Sequence, residues 1–576
     1  MTNTLSLRAL KILAGAAIFA AVQVCAFAQT PNNFNHNPCP RYAAGSPVTQ
    51  PPSLFSRNGV LNVNLAYNTT TDSQGRTLYC FTTPNGLESP TLYVNPGDTL
   101  TVNVTNNLPA PASAGNMAPT TNASEVCGAA TQDASSVNVH YHGTNTSPAC
   151  HADQVIHTLI NSGQSFTYNL VFPHNEPPGL YWYHPHVHGL AEAAVQGGAS
   201  GAIVVQGIQN VQPAVAGLPQ QIFIIRDQVL PAGSPGPGGS VPSWDVSVNY
   251  VPVLYPNLQP ATLTMRPGEK QFWRVTNSSA DTIIDLQLQY DGVDQMLQIV
   301  GLDGVPTGSQ DGTSQGKLVP ATDILLAPAA RAEFIVVGPS GNVKNAQLVT
   351  LGINTGPCGD DDPPRPLIQI STNQFAPEPS LSIEPVSGPA GPQRFAGVAS
   401  APVTANRTLY FLENNPALQF FMVVEPQTPV LFNPNNPPAI TTTQGSVEEW
   451  VIQNRTLENH EFHLHQVHFL LMAVNGVPVP PSQQQFLDMI QVPYGTGAPP
   501  YPSVTVKVDF RGPDIGDFVF HCHILGHEDN GMMAILRVLP APTAKNTHDT
   551  APAEGRPAVP PLPAAARRPD EVALLK

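Results

Sequence analysis

The residues of this chain best suited to chemistry are histidines, and they come in four short motifs. These are His140-Tyr141-His142-Gly143, Tyr183-His184-Pro185-His186, His460-Glu461-Phe462-His463-Leu464-His465, and His521-Cys522-His523 followed by His527. Ten of the 17 histidines fall in these motifs, and each motif contains a His-x-His pair. On a β-strand, residues i and i+2 share a face, so each pair can aim two imidazoles at one point. Imidazole suits copper, zinc or iron. One such pair could arise by chance, whereas four in aromatic, strand-like surroundings point to a shared metal centre.

The last motif narrows the metal. Cys522 offers a soft thiolate, His527 an imidazole five residues on, and Met532 a thioether five further. With a second histidine from elsewhere, this is the donor set of a His₂Cys copper site with a weak axial methionine. A structural zinc would want a closed tetrahedral set and would leave eight further histidines unexplained. His521 and His523 face the opposite side of the strand from Cys522. One tripeptide therefore serves a one-electron site on one face and a cluster of metals on the other.

The elements that hold these motifs must be strands. The chain has 576 residues, enough for three or four domains, with 63 prolines and 45 glycines, which argues against long helices. A weak repeat sets the architecture. Gly97, Gly268 and Gly445 each open a strand that closes on an asparagine nine positions later, at Asn106, Asn277 and Asn454. Alternation at Leu100, Val102 and Val104 gives that strand one buried face. We expect an all-β chain of three related β-sandwich domains, over 29–208, 209–376 and 377–540. No histidine lies between His188 and His460, so histidine chemistry is expected from the two outer domains.

Composition excludes other classes. Charged residues are 11% of the chain, with a formal net charge of −16, so the basic footprint that nucleic acid requires is missing. Residues 1–28 read as a signal peptide: Arg8 and Lys11, an apolar run from Ile12 to Val24, and Ala26-Phe27-Ala28 before Gln29. No later stretch is long and apolar enough to span a bilayer. An exported protein, periplasmic or extracellular, is expected. With Cys522 set aside as a ligand, at most two disulfides form among Cys39, Cys80, Cys127, Cys150 and Cys358. Their connectivity stays open. Cys127 and Cys150, which bracket the first histidine motif, are one candidate pair. The Ala/Pro-rich end, 541–576, cannot bury a core and is expected to be a disordered tail.

The four motifs together resemble those of the multicopper oxidases, the family of laccases and bacterial copper oxidases. The resemblance implies three cupredoxin-like Greek-key domains and four coppers per chain. It implies that His140 and His463 bind the type 2 copper. His142, His184, His186, His465, His521 and His523 would hold the type 3 pair. His460, Cys522 and His527 would bind the type 1 copper, with Met532 axial. Asp153 matches the family's acid beside the type 2 copper, and Glu528 the acid on the dioxygen path, both being candidate proton donors. Each could equally orient a ligand histidine. The chain departs from the family at Glu461, where proline is usual, and at Gln466, where glycine is usual. Both substitutions are expected to reshape the rim of the type 1 site. His151, His157, His174, His188 and His468 are read as structural or surface residues.

The resemblance implies oxidation of phenols, aromatic amines or similar small reductants, with O₂ reduced to water. A metal-ion oxidase acting on Cu(I), Fe(II) or Mn(II) is the alternative, and a non-catalytic cupredoxin scaffold is less favoured because every ligand position is filled. Only nine methionines occur. They form no Met-rich segment of the kind that binds Cu(I), which tilts the reading away from a cuprous oxidase.

Overall fold

The computed structural model describes residues 37–111, 125–308, 316–377, 379 and 394–542. The segment expected to be a signal peptide, 1–28, and most of the expected tail, 541–576, lie outside these residues. The all-β expectation holds: three pairs of packed sheets follow one another along the chain. The first pair contains strands from Ser53–Phe55 to Gly201–Val205, the second from Gln220–Val229 to Arg365–Thr372, and the third from Ala405–Asn414 to Met533–Leu539. Each encloses its own apolar core, with Trp182 and Trp273 in the middle one and Trp450 in the last. No helix among the described residues is long and apolar enough to cross a membrane.

The repeat has a common structural basis. Its three strands are Thr99–Asn106, Lys270–Asn277 and Val447–Asn454. Each pairs in parallel with one neighbour and antiparallel with the other. The first of them alternates buried and half-buried positions, as its sequence requires. Each terminal asparagine is fully buried. Each donates its amide to two backbone carbonyls: Asn106 to Ser135 and Ile160, Asn277 to Thr282 and Leu326, and Asn454 to Glu458 and Val492. Each also accepts the N–H two residues ahead, of Leu108, Ser279 or Thr456. The asparagine thus satisfies the backbone of the turn leaving the strand, where no ladder partner is available.

In each outer sandwich, two histidine motifs become neighbours in one sheet. The strand His140–His142 lies at a sheet edge against Gly179–His184, with His140 opposite His184 and His142 opposite Trp182. In the third sandwich His460–Leu464 pairs with Gly516–Cys522, placing His463 opposite His521 and Phe462 opposite Cys522.

Candidate metal centre

Strand alternation builds two faces from one pair of strands. Since Phe462 lies opposite Cys522, His460, two residues earlier, shares the face of Cys522. Cys522 Sγ stands 3.5 Å from His460 Nδ1 and 3.8 Å from His527 Nδ1, and the two histidine nitrogens are 3.2 Å apart. The Glu461 N–H donates to the same sulfur at 3.4 Å. Met532 is fully buried in the core cluster that contains Cys522. Burial pushes the Cys522 thiol well above its ordinary range, and coordination to a cation is what removes such a proton.

The opposite face, with the first sandwich, holds the other eight motif histidines, all buried. His142, His184 and His523 offer one nitrogen each to a common point, as do His186, His465 and His521, and as do His140, His142 and His463. His521 Nε2 lies 3.2 Å from His186 Nε2 and 3.1 Å from His465 Nε2. The pairs are further locked by ring stacking, His140 on His465 at 3.8 Å and His142 on His463 at 3.9 Å.

Only one of the four His-x-His pairs sits wholly within a strand. His186, His465 and His523 each lie just past a strand end. Pro185 has no N–H for the ladder, so the strand stops at His184. His186 is then held by its own N–H donating to Asn138 Oδ1 at 2.8 Å. The three pairs that overrun their strands are consequently split between different nitrogen clusters, whereas His140 and His142 share one with His463.

The donor set fits metal. His140 Nε2, His142 Nδ1, His184 Nε2, His463 Nε2 and both nitrogens of His523 are buried without a hydrogen-bond partner. Several opposite nitrogens are committed elsewhere: His184 Nδ1 donates to the Pro185 carbonyl, His463 Nδ1 to that of Asp488 and His521 Nδ1 to that of Cys522. The nitrogen opposite each of these donors is therefore a lone pair inside a buried cluster, an arrangement that costs free energy unless a cation joins it. Burial and the neighbouring histidines hold these rings well below the usual imidazole range, with His186 at about 4. The neutral form is the one that binds metal.

The acids flanking this cluster differ in role. Glu528 is fully buried, with Oε2 3.2 Å from His521 Nδ1 and Oε1 3.5 Å from His186 Nδ1. Burial pushes its carboxyl well above the ordinary carboxylate range. Asp153 lies 3.0 Å from His140 Nδ1 and accepts the Tyr141 N–H at 3.0 Å. Gln466 does not approach the cysteine site: its amide donates to Asp153 at 2.6 Å. Glu461 is buried beside Cys522 and accepts from Gln491 at 3.0 Å. His468 donates to the Asp303 carbonyl at 2.8 Å, a structural role.

Sequence reading missed the part played by the middle sandwich. Arg331, on its strand Arg331–Val337, binds Asp488 with both Nη atoms, at 2.6 and 2.5 Å. Asp488 Oδ1 in turn lies 3.4 Å from His142 Nε2. Gly143 records this packing: its φ is +81°, and a Cβ there would collide with Arg331 Nη2 and Asp488 Oδ2.

On the outer side of the cysteine site, His460 Nε2 is 2.7 Å from Glu413 and His527 Nε2 3.3 Å from Glu458. His527 lines a cavity of about 290 Å³ together with Asp281, Asp360, Asp362, Glu458 and Phe420. Asp362 is held at about 8 and Glu458 at about 9 by burial and neighbouring acids. Asp362 Oδ1 is buried without a hydrogen-bond partner. Among the described residues the disulfides are Cys39–Cys80 and Cys127–Cys150, and besides Cys522 the free cysteine is Cys358, exposed at this cavity.

Two multicopper oxidase family models match the chain, over residues 131–210 and 402–542. The chain is 24% identical over 471 residues to multicopper oxidase LPR1 homolog 1 of Oryza sativa subsp. japonica, covering 70% of this chain and 74% of the relative. It is 24% identical over 395 residues to a laccase of Bacillus subtilis, covering 63% and 71%. Among solved structures it is similar to the multicopper oxidase McoA from Aquifex aeolicus, with a TM-score of 0.63 and 18% identity over 86% of this chain and 100% of that one. A Campylobacter jejuni multicopper oxidase described as a metallo-oxidase gives a TM-score of 0.61 and 18% identity, covering 87% and 96%. Motifs, fold and relatives agree that the chain belongs to the multicopper oxidase family of O₂-using copper oxidoreductases.

Proposed function

We propose that the chain takes single electrons from small reductants at a type 1 copper and reduces O₂ to water at a trinuclear copper cluster. In this reading His460, Cys522, His527 and Met532 hold the type 1 copper, and His140 and His463 the type 2. His142, His184 and His523 hold one type 3 copper and His186, His465 and His521 the other, making four coppers per chain. The observation that carries it is the two-faced tripeptide: Cys522 Sγ meets His460 and His527 while its neighbour His521 meets His186 and His465.

Bound copper supplies one-electron redox chemistry and O₂ binding. The chain's own residues do the rest. Peptide bonds join Cys522 directly to His521 and His523, so the two sites are covalently linked. Four electrons and four protons convert one O₂ to two waters. Glu528, buried between His186 and His521, is placed to supply a proton where that demand arises. A cavity of about 190 Å³, lined by His186, Val155, Phe432 and Met533, reaches one histidine of the cluster. Asp153 orients His140. The two disulfides support export to an oxidising compartment, periplasmic or extracellular.

Phenols and aromatic amines remain the leading reductants. A metal ion as substrate is favoured by one observation, the cluster of mostly buried acids against His527 with Asp362 Oδ1 unpartnered. Steady-state kinetics with a neutral phenol, Fe(II), Mn(II) and Cu(I) separate the readings. If metal ions are the substrates, Asp362→Asn lowers kcat/KM for the cation about tenfold and leaves the phenol unchanged. Equal loss for both rejects the metal-ion reading.

A further inference from the structure

We infer that Gln466 is a positioning residue of the histidine cluster, acting on His140 through Asp153. The inference rests on the copper assignment above for what His140 binds. Gln466 directly follows His465, in the third sandwich, yet its side chain reaches the first: Nε2 donates to Asp153 Oδ2 at 2.6 Å across a sequence separation of 313. Asp153 is buried, and its remaining contacts are the Tyr141 N–H at 3.0 Å and His140 Nδ1 at 3.1 and 3.0 Å. Two amide N–H groups thus favour the ionised carboxylate against the burial that opposes it, and a proton on His140 Nδ1 makes the third donor to it. The His140 proton is thereby placed on Nδ1, and Nε2, which has no partner in the chain, is left as the lone pair facing the cluster.

Two features set this contact apart from ordinary packing. Gln466 has φ +58°, a conformation that glycine adopts freely and glutamine does not. Its Oε1 is buried without a hydrogen-bond partner. A residue chosen only to fill space there would be apolar or glycine. The neighbouring His465 ring also stacks on His140 at 3.8 Å with an interplanar angle of 16°. The dipeptide His465-Gln466 therefore grips His140 twice, once on the ring face and once through its acid. The cluster lies between two sandwiches, and this bond fixes one against the other at the type 2 position.

Gln466→Gly tests the role with little risk to folding, because the backbone there already has a glycine conformation. The copper-loaded variant is expected to keep its blue band. It should release the type 2 copper to a chelator at least tenfold faster than the unaltered protein, with a changed type 2 hyperfine splitting in electron paramagnetic resonance. Gln466→Glu, whose carboxylate cannot donate to Asp153, should move both readouts the same way. Wild-type release and hyperfine splitting in Gln466→Gly overturn the inference, as does an effect confined to Gln466→Glu. A wild-type protein without any type 2 signal overturns instead the copper assignment beneath it.

Discussion

Arg331 and Asp488 form a buried two-pronged ion pair between the histidine-free middle sandwich and the third, at 2.6 and 2.5 Å, within contact of His142. Both residues are buried. Removing one partner leaves an uncompensated charge, so Arg331→Met should cost about 3–5 kcal/mol of unfolding free energy. The double variant Arg331→Met with Asp488→Leu should cost less than the sum of the two single changes by at least about 1 kcal/mol. Chemical denaturation measures all three, and additive losses would show that the pair is not coupled.

Glu528→Gln should slow reoxidation by O₂ about 10²-fold, the usual contribution of a placed general acid. Its carboxyl lies beside His186 and His521, away from Cys522 Sγ, so reduction of the type 1 copper should be nearly unaffected. Anaerobic stopped-flow bleaching of the blue band separates the two steps. Bleaching slowed as much as reoxidation would contradict this placement.

Met532 and Met533 occupy different surroundings. Met532 packs in the core cluster of Cys522 and its carbonyl accepts the Cys522 N–H at 3.1 Å, whereas Met533 lines the cavity beside His186. Met532→Leu should raise the type 1 potential by about 60 mV, equivalent to about 1.4 kcal/mol for one electron. Met533→Leu should leave it in place. A redox titration giving the reverse pattern puts the axial ligand one residue later.

A pH dependence follows from Glu176, which is buried and accepts both N–H groups of Asn145 at 3.1 Å. Burial raises it from an ordinary 4.5 to about 7. Between these values the folded chain binds the extra proton. The contribution to stability is therefore present below about 4.5 and is lost as pH rises through 7. Glu176→Gln removes that loss. Its stability relative to wild type should grow by up to about 3 kcal/mol from pH 4.5 to 7 and then level off. A difference independent of pH contradicts the raised value.

Much of this site was legible in the sequence because its ligands come as short motifs whose spacing survives any fold. The repeat was legible for a similar reason: Asn106, Asn277 and Asn454 do one backbone job at one offset. Arg331, Asp488, Glu413 and Asp362 were not, since each is a lone charged residue whose partner is distant in sequence. Gln466 was noticed but misplaced. Its position beside a ligand suggested the type 1 rim, and only the positive φ that turns its side chain toward Asp153 shows otherwise. The departure of His186, His465 and His523 from their strands was likewise hidden, because ideal alternation takes no account of where a ladder ends.

The central claim is a cysteine-bound copper wired to a trinuclear cluster, and copper content with an absorption spectrum of the intact protein and of Cys522→Ser tests it most directly. The expected result is four coppers per chain with an intense blue band in the intact protein. The variant should lose the band, one copper and all turnover. A colourless intact protein with full copper, or a Cys522→Ser variant that still oxidises its reductant, would contradict the account.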